Sequence, residues 1–171
     1  MAYRTKTYLA GDWTGDADLI KMLQDRNKSD YWNLDFIDAH DMTQSNDTSK
    51  YCSIKKSLGE RMDASKTFVL IVGKDTSSLT KGSCRYCGSY SSYSGCLSGN
   101  TTSMKSFIEY ECDKAIRDGL KIVVIYNYSF VWKEKCPDVV KNIGKHIKGY
   151  YFDSNDHKQW NYSEIKETIN N

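Results

Sequence analysis

The chain has 171 residues, 39% of them hydrophobic and 27% charged, with a single proline; that is enough for one core in one domain. Lys and Arg number 24 against 22 Asp and Glu, a formal charge of +2, and so even a balance argues against a dedicated nucleic-acid-binding module. No run approaches the roughly 18 apolar residues of a membrane span. Met1-Ala2-Tyr3-Arg4-Thr5-Lys6 lacks the apolar core and cleavage site of a signal peptide. A cytoplasmic location with reduced cysteines is therefore expected.

Thr7-Tyr8-Leu9-Ala10 is short, apolar and β-prone and stops at Gly11, which predicts a first strand. Asp16-Ala17-Asp18 opens a helix carrying Leu19, Ile20, Met22 and Leu23, since acids suit a helix N-terminus. Leu34-Asp35-Phe36-Ile37 alternates as a second strand, followed by the polar loop Asp38-Ala39-His40-Asp41. Ile54, Leu58 and Met62 recur four apart and predict a helix from about Lys50 to Asp63. The continuous apolar runs Thr67–Val72 and Lys121–Tyr126 suit strands covered on both faces. Between them lies a helix from about Met104 to Arg117, closed by Gly119. Pro137 suits the first turn of a helix bearing Val139, Val140 and Ile143, and Gly149–Phe152 reads as the last strand. Asn161 and Glu164 have capping-box spacing for a C-terminal helix.

Strands alternating with helices predict a single α/β domain over residues 1–171, a flavodoxin-like three-layer fold with a five-stranded parallel sheet in the order 2-1-3-4-5. The stretch at about 81–100, rich in Gly, Ser, Tyr and Cys, reads as an insertion after strand three that overhangs the crevice. Cys84, Cys87 and Cys96 have spacing that can bind zinc, but no fourth ligand is near in sequence, so a lid with unmetallated thiols is preferred.

In such a sheet, ligands bind at the carboxyl ends of the strands, where strand order reverses between strands one and three. Gly11 there permits close backbone approach, and Trp13 either stacks on a ligand ring or is a half-buried turn residue. On the helix after strand three, Glu111 falls within the apolar face of Met104, Ile108, Cys112 and Ala115. A carboxylate there is costly to bury unpaired. It either reaches a lysine or backbone N–H at the stripe's edge, or stands in a crevice wall with its pKa raised. Glu109 reads as a solvated surface acid.

Phe107-Ile108-Glu109-Tyr110-Glu111-Cys112, followed by Lys114-Ala115-Ile116 and Gly119-Leu120-Lys121-Ile122-Val123, resembles the TIR-like family of the Thoeris anti-phage protein ThsB, in which an aromatic residue precedes the catalytic Glu by four. Phe107 stands where that family usually has Trp. Leu9-Ala10-Gly11-Asp12-Trp13 replaces the usual Ser flanked by aromatics, with Asp16 a candidate for the later Asp. The resemblance implies cleavage of the nicotinamide–ribose bond of NAD, with NAD as substrate and no bound cofactor. The ADP-ribose-derived product, linear or cyclic, is sensed by a separate effector protein. Glu111 would be the catalytic acid. Gly11, Asp12 and Trp13 would line the nucleotide crevice, Ser77 and Phe107 would flank the nicotinamide ribose, and Asp38, with His40, would meet adenosine. Self-association is a family expectation; nucleic acid and membrane partners are not expected.

Two competing readings remain at this stage. Tyr8-Leu9-Ala10-Gly11 also resembles the opening of nucleoside 2-deoxyribosyltransferases, which attack a deoxyribose with a Glu nucleophile. A non-catalytic TIR-like signalling scaffold is the other.

Overall fold

The computed structural model describes residues 4, 6–29, 36–38, 50–99 and 101–171. Its centre is a sheet of five parallel strands: β1 (Lys6–Ala10), β2 (Phe36–Asp38), β3 (Ser65–Val72), β6 (Lys121–Tyr126) and β7 (Lys145–Lys148). They lie in the order β2-β1-β3-β6-β7, which is 2-1-3-4-5 when only the strands of this sheet are counted. Two small antiparallel hairpins stand outside it: β4 (Tyr90–Ser91) with β5 (Gly95–Cys96), and β8 (Tyr150–Phe152) with β9 (Lys158–Trp160).

Because strand side chains alternate, the sheet sorts its residues into two cores. Tyr8, Ala10, Phe68, Leu70, Ile122 and Val124 face helices α2 (Tyr51–Asp63) and α3 (Phe107–Arg117). Leu9, Val69, Ile71, Val123, Ile125 and Ile147 face α1 (Ala17–Asn27) and α4 (Tyr162–Asn170). Register carries the sorting across the sheet, since Tyr8 lies beside Phe68 and Phe68 beside Ile122. Leu58, Met62 and Ile165 are at most 1% exposed, and burying a side chain of this size stabilises by about 1.5–3 kcal/mol.

Helix α3 is fixed at both ends. Ser106 Oγ accepts from Glu109 N, and the Glu109 carboxylate accepts from Ser106 N at 2.7 Å, a complete capping box. At the other end Gly119 has φ +66°, and Leu120 N–H reaches back to the Ala115 carbonyl at 2.9 Å, as a left-handed helix stop requires. Laterally, Lys114 Nζ bonds both Asp63 of α2 and Asp118 at 2.7 Å. Buried Lys55 of α2 donates to Lys105 O at 2.6 Å and to both oxygens of Ser103, fixing the approach to α3.

Four sequence expectations need correction. Helix α3 starts at Phe107, not near Met104, because Ser106 provides the cap; Met104 is 47% exposed and lies off the apolar face. The segment after Pro137 makes only a short 3-10 turn, Asp138–Val140, of which Val140 alone is buried. The fifth sheet strand is Lys145–Lys148, not Gly149–Phe152. Gly149 N–H turns back onto the Tyr126 carbonyl at 2.7 Å, and Tyr150–Phe152 leaves the sheet to pair with β9. Asn161 does not form a capping box; it bonds Glu164 side chain to side chain.

The insertion carries a 3-10 turn, Cys84–Tyr86, and the β4–β5 hairpin. Its start is tied to the approach of α3: Lys81 O accepts from Phe107 N, and Cys84 exchanges bonds with Ser103. Among the described residues no helix is long and apolar enough to cross a membrane.

Candidate active site

Glu111 lies on the α3 face that packs against the middle of the sheet, and it is 5% exposed. The hydroxyl of Tyr8, a fully buried residue of β1, donates to Glu111 Oε1 across 103 positions of sequence. The Tyr8 ring lies stacked beside Phe68, with centroids 6.0 Å apart. Burial pushes the Glu111 carboxyl up to about 7, and the Tyr8 hydrogen bond acts against that rise. Burial also raises the Tyr8 phenol well above its usual range, with the Glu111 charge adding to the effect. The acid therefore sits near half-ionisation at neutral pH, the condition that suits a group exchanging charge or protons with a substrate.

A cleft of about 260 Å³ opens at the carboxyl ends of β3 and β6, on the same side of the sheet as α3. Ser77 from the turn after β3, Ile108 and Glu109 from α3, and Glu134, Cys136 and Asp138 from the segment after β6 form its walls. Ile108 precedes Glu111 by one helical turn on the same face, so Glu111 lies one turn deeper than the wall. Three carboxylates, with Thr76, Ser77 and Ser106, make this cleft a polar, acidic surface suited to sugar hydroxyls or a cationic ring.

At the tips of β1 and β3, where the crevice is expected, the Asp16 carboxylate lies against Gly73. A Cβ on Gly73 would lie 1.9 Å from Asp16 Oδ1, so only glycine admits that carboxylate at the tip of β3. Asp16 is 2% exposed and accepts from Asn127 Nδ2 at 3.0 Å. Burial raises its pKa to about 6; the Asn127 bond opposes this, and Asp12, Asp18 and Asp75 add to it.

The proposed site residues divide accordingly. Ser77 lines the cleft with Glu109, which is exposed as expected but is also the cap of α3 rather than a free surface acid. Phe107 is 8% exposed, covered by Gly82 and set edge-on to Tyr51 at 5.4 Å, and it is not part of the cleft lining. Gly11 lies against Ile71, Asp12 Oδ1 accepts from Thr14 N in a tight turn, and Trp13 packs on the core beneath α1 and α4, opposite Glu111. The backbone of Asp38 ends β2 beside Leu9; its side chain and His40 lie outside the described residues. All six cysteines are free thiols, and among the described residues no three His, Cys, Asp or Glu side chains converge as a metal site.

Sequence reasoning missed two features. The sequence places Tyr8 in the first strand and in the deoxyribosyltransferase-like segment, but not beside Glu111. Tyr128, Phe130 and Trp132 form a mutually packed aromatic group with centroids 5.2–5.7 Å apart, leading into the cleft wall at Glu134. Phe130 is 52% exposed. The alternation Tyr-x-Phe-x-Trp in a segment without helical periodicity was the available signal for the second; nothing local marks the first.

Residues 8–81 match the family model for the Thoeris protein ThsB, TIR-like domain. The matched stretch runs from β1 to the start of the insertion and includes Tyr8, Gly11, Asp12, Trp13, Asp38 and Ser77, while Phe107 and Glu111 follow it. The match spans less than half of the chain, and the parallel α/β sheet is in keeping with the likeness of this stretch to a TIR-like domain of an anti-phage defence family. No curated protein matches the chain.

Proposed function

We propose that the chain is an NAD-consuming TIR-like enzyme in which Glu111 assists cleavage of the nicotinamide–ribose bond. The observation that carries this reading is a buried carboxylate, bonded by Tyr8 and with its pKa raised by burial, one helical turn from a cleft at the strand ends beside a stretch that resembles a TIR-like domain. As the bond to nicotinamide breaks, positive charge develops on the ribose. A carboxylate kept from water stabilises that charge more strongly than a solvated one. Nicotinamide departs as a neutral ring, so no second acid is needed to protonate it. Ser77, Glu109 and Glu134 supply polar groups for ribose hydroxyls, and Phe130 with Trp132 supplies a face on which a planar ring stacks.

The product is an ADP-ribose-derived nucleotide, linear or cyclised, read by a separate effector in a cytoplasmic defence response. Glu111, the cleft and the aromatic group all belong to one chain. The test is mass spectrometry of NAD incubated with the protein and with Glu111→Gln. Loss of nicotinamide release in the variant supports the reading; equal release by both overturns the role of Glu111, and intact NAD with wild type overturns the activity.

One observation favours a second reading. Tyr8 of the Tyr8-Leu9-Ala10-Gly11 segment bonds the glutamate directly, an arrangement that also suits a Glu nucleophile attacking a deoxyribose. Incubation with a deoxynucleoside and a free base separates base exchange from NAD cleavage. A scaffold without catalysis would protect cells from phage equally well with Glu111→Gln.

A further inference from the structure

A tyrosine in the middle of a buried strand needs a reason. Position 8 lies among Ala10, Phe68, Leu70 and Met62, where phenylalanine would bury the same ring with no polar atom. Its hydroxyl instead meets the one carboxylate buried in this layer among the described residues, and the sheet register places it there across 103 positions of sequence. Buried polar pairs of this kind are often replaceable by apolar residues without loss of stability, so their retention calls for a role beyond holding the fold.

We infer that Tyr8 is a positioning residue for Glu111, holding Oε1 from the floor of the sheet and leaving Oε2 as the oxygen that meets the sugar. This rests on the reading of Glu111 as the working acid. The phenol acts in two ways. It restricts the glutamate to one orientation, which a side chain with three rotatable bonds does not keep unaided. It also donates to the ionised form, opposing burial, so the carboxylate remains available as an anion near neutral pH. Among the described residues burial and Tyr8 are the two influences on Glu111, and no basic side chain shares the task.

Tyr8→Phe keeps the ring and its place beside Phe68, so the variant tests the hydroxyl alone. The expected result is an NAD-cleavage profile whose acid limb moves to higher pH by about one unit, with kcat near pH 6 falling about tenfold and KM unchanged. A lower Tm with the acid limb unmoved would show a packing role only and overturn the inference. A second measurement does not depend on the substrate: the carboxyl carbon of Glu111, followed by NMR through a pH titration, should titrate higher in Tyr8→Phe than in wild type. An unchanged midpoint overturns the positioning role. If wild type leaves NAD intact while the midpoint moves, the cleavage reading fails and the pairing stands. If wild type cleaves NAD and neither limb nor midpoint moves, the pairing fails and the cleavage reading stands. The double variant Tyr8→Phe/Glu111→Leu should match or exceed wild type in Tm; a marked fall would make the pair a fold-holding device and overturn the inference.

Discussion

Asp16 and Glu111 are both buried carboxylates with raised pKa values, yet they occupy different regions and are held by different means. Asp16 sits at the strand tips under the first turn of α1. Asn127 reaches both Asp16 and Asp18 with its amide, while its backbone N–H bonds the Val72 carbonyl at 2.9 Å. That carboxylate joins α1 to the ends of β3 and β6. Among the described residues, the Glu111 side chain bonds only the Tyr8 phenol. Its surroundings are apolar, and the cleft lies on its own side of the sheet. A buried acid tied into several backbone segments is a joint in the fold. A buried acid with one side-chain partner beside a cavity is free to serve chemistry.

The largest effect that would separate the two is catalytic. Glu111→Gln should lower nicotinamide release by about 10²–10³-fold while the far-UV circular dichroism stays native, as loss of one transition-state stabiliser does elsewhere. A loss confined to the folded fraction would erase the distinction. Next is the pH dependence of stability. Glu111 moves from 4.5 to about 7 on folding, so the native state holds its proton more tightly than the unfolded chain. The resulting stabilisation is complete below about pH 4.5 and is lost as pH rises through about 7, a change of about 3 kcal/mol that Glu111→Gln should remove from denaturant curves. Asp16 contributes with the same sign, from 3.8 to about 6, and its share should persist in that variant.

Gly73→Ala attacks the joint alone. Its methyl would displace the Asp16 carboxylate from Asn127, at a cost of about 1–3 kcal/mol in chemical denaturation, while the Glu111 titration should stay unchanged. The smallest effect is a control. Lys21 and Asp25 form an ion pair with side chains 74% and 60% exposed, and Lys21→Ala should change stability by less than about 0.5 kcal/mol.

The central strands were legible because a strand buried on both faces must be apolar throughout, as Phe68–Val72 and Ile122–Tyr126 are. Helices α2 and α3 were legible from their spacing, and Glu111 from being an acid on the stripe. The edge strand Lys145–Lys148 was not, because only Ile147 is buried and the aromatic run just after it is more β-prone. The Asp16–Asn127 contact at the strand tips was not legible, because a fold-level rule gives the location of an opening but not which side chains meet there. The Tyr8–Glu111 contact arises from sheet register and helix packing acting over 103 residues, which no local pattern encodes.

The reciprocal cap of α3 bears on how a dinucleotide would lie in the cleft if the proposed activity holds. Helix beginnings commonly cradle phosphate with exposed amide donors. Here Glu109 itself occupies that end, bonding Ser106 N, while Ser106 satisfies the amide of Glu109. A pyrophosphate would meet negative charge rather than waiting donors, so on the proposed reading the bridge of the dinucleotide would be steered outward, and the sugar and its pyridine would be the portion drawn in.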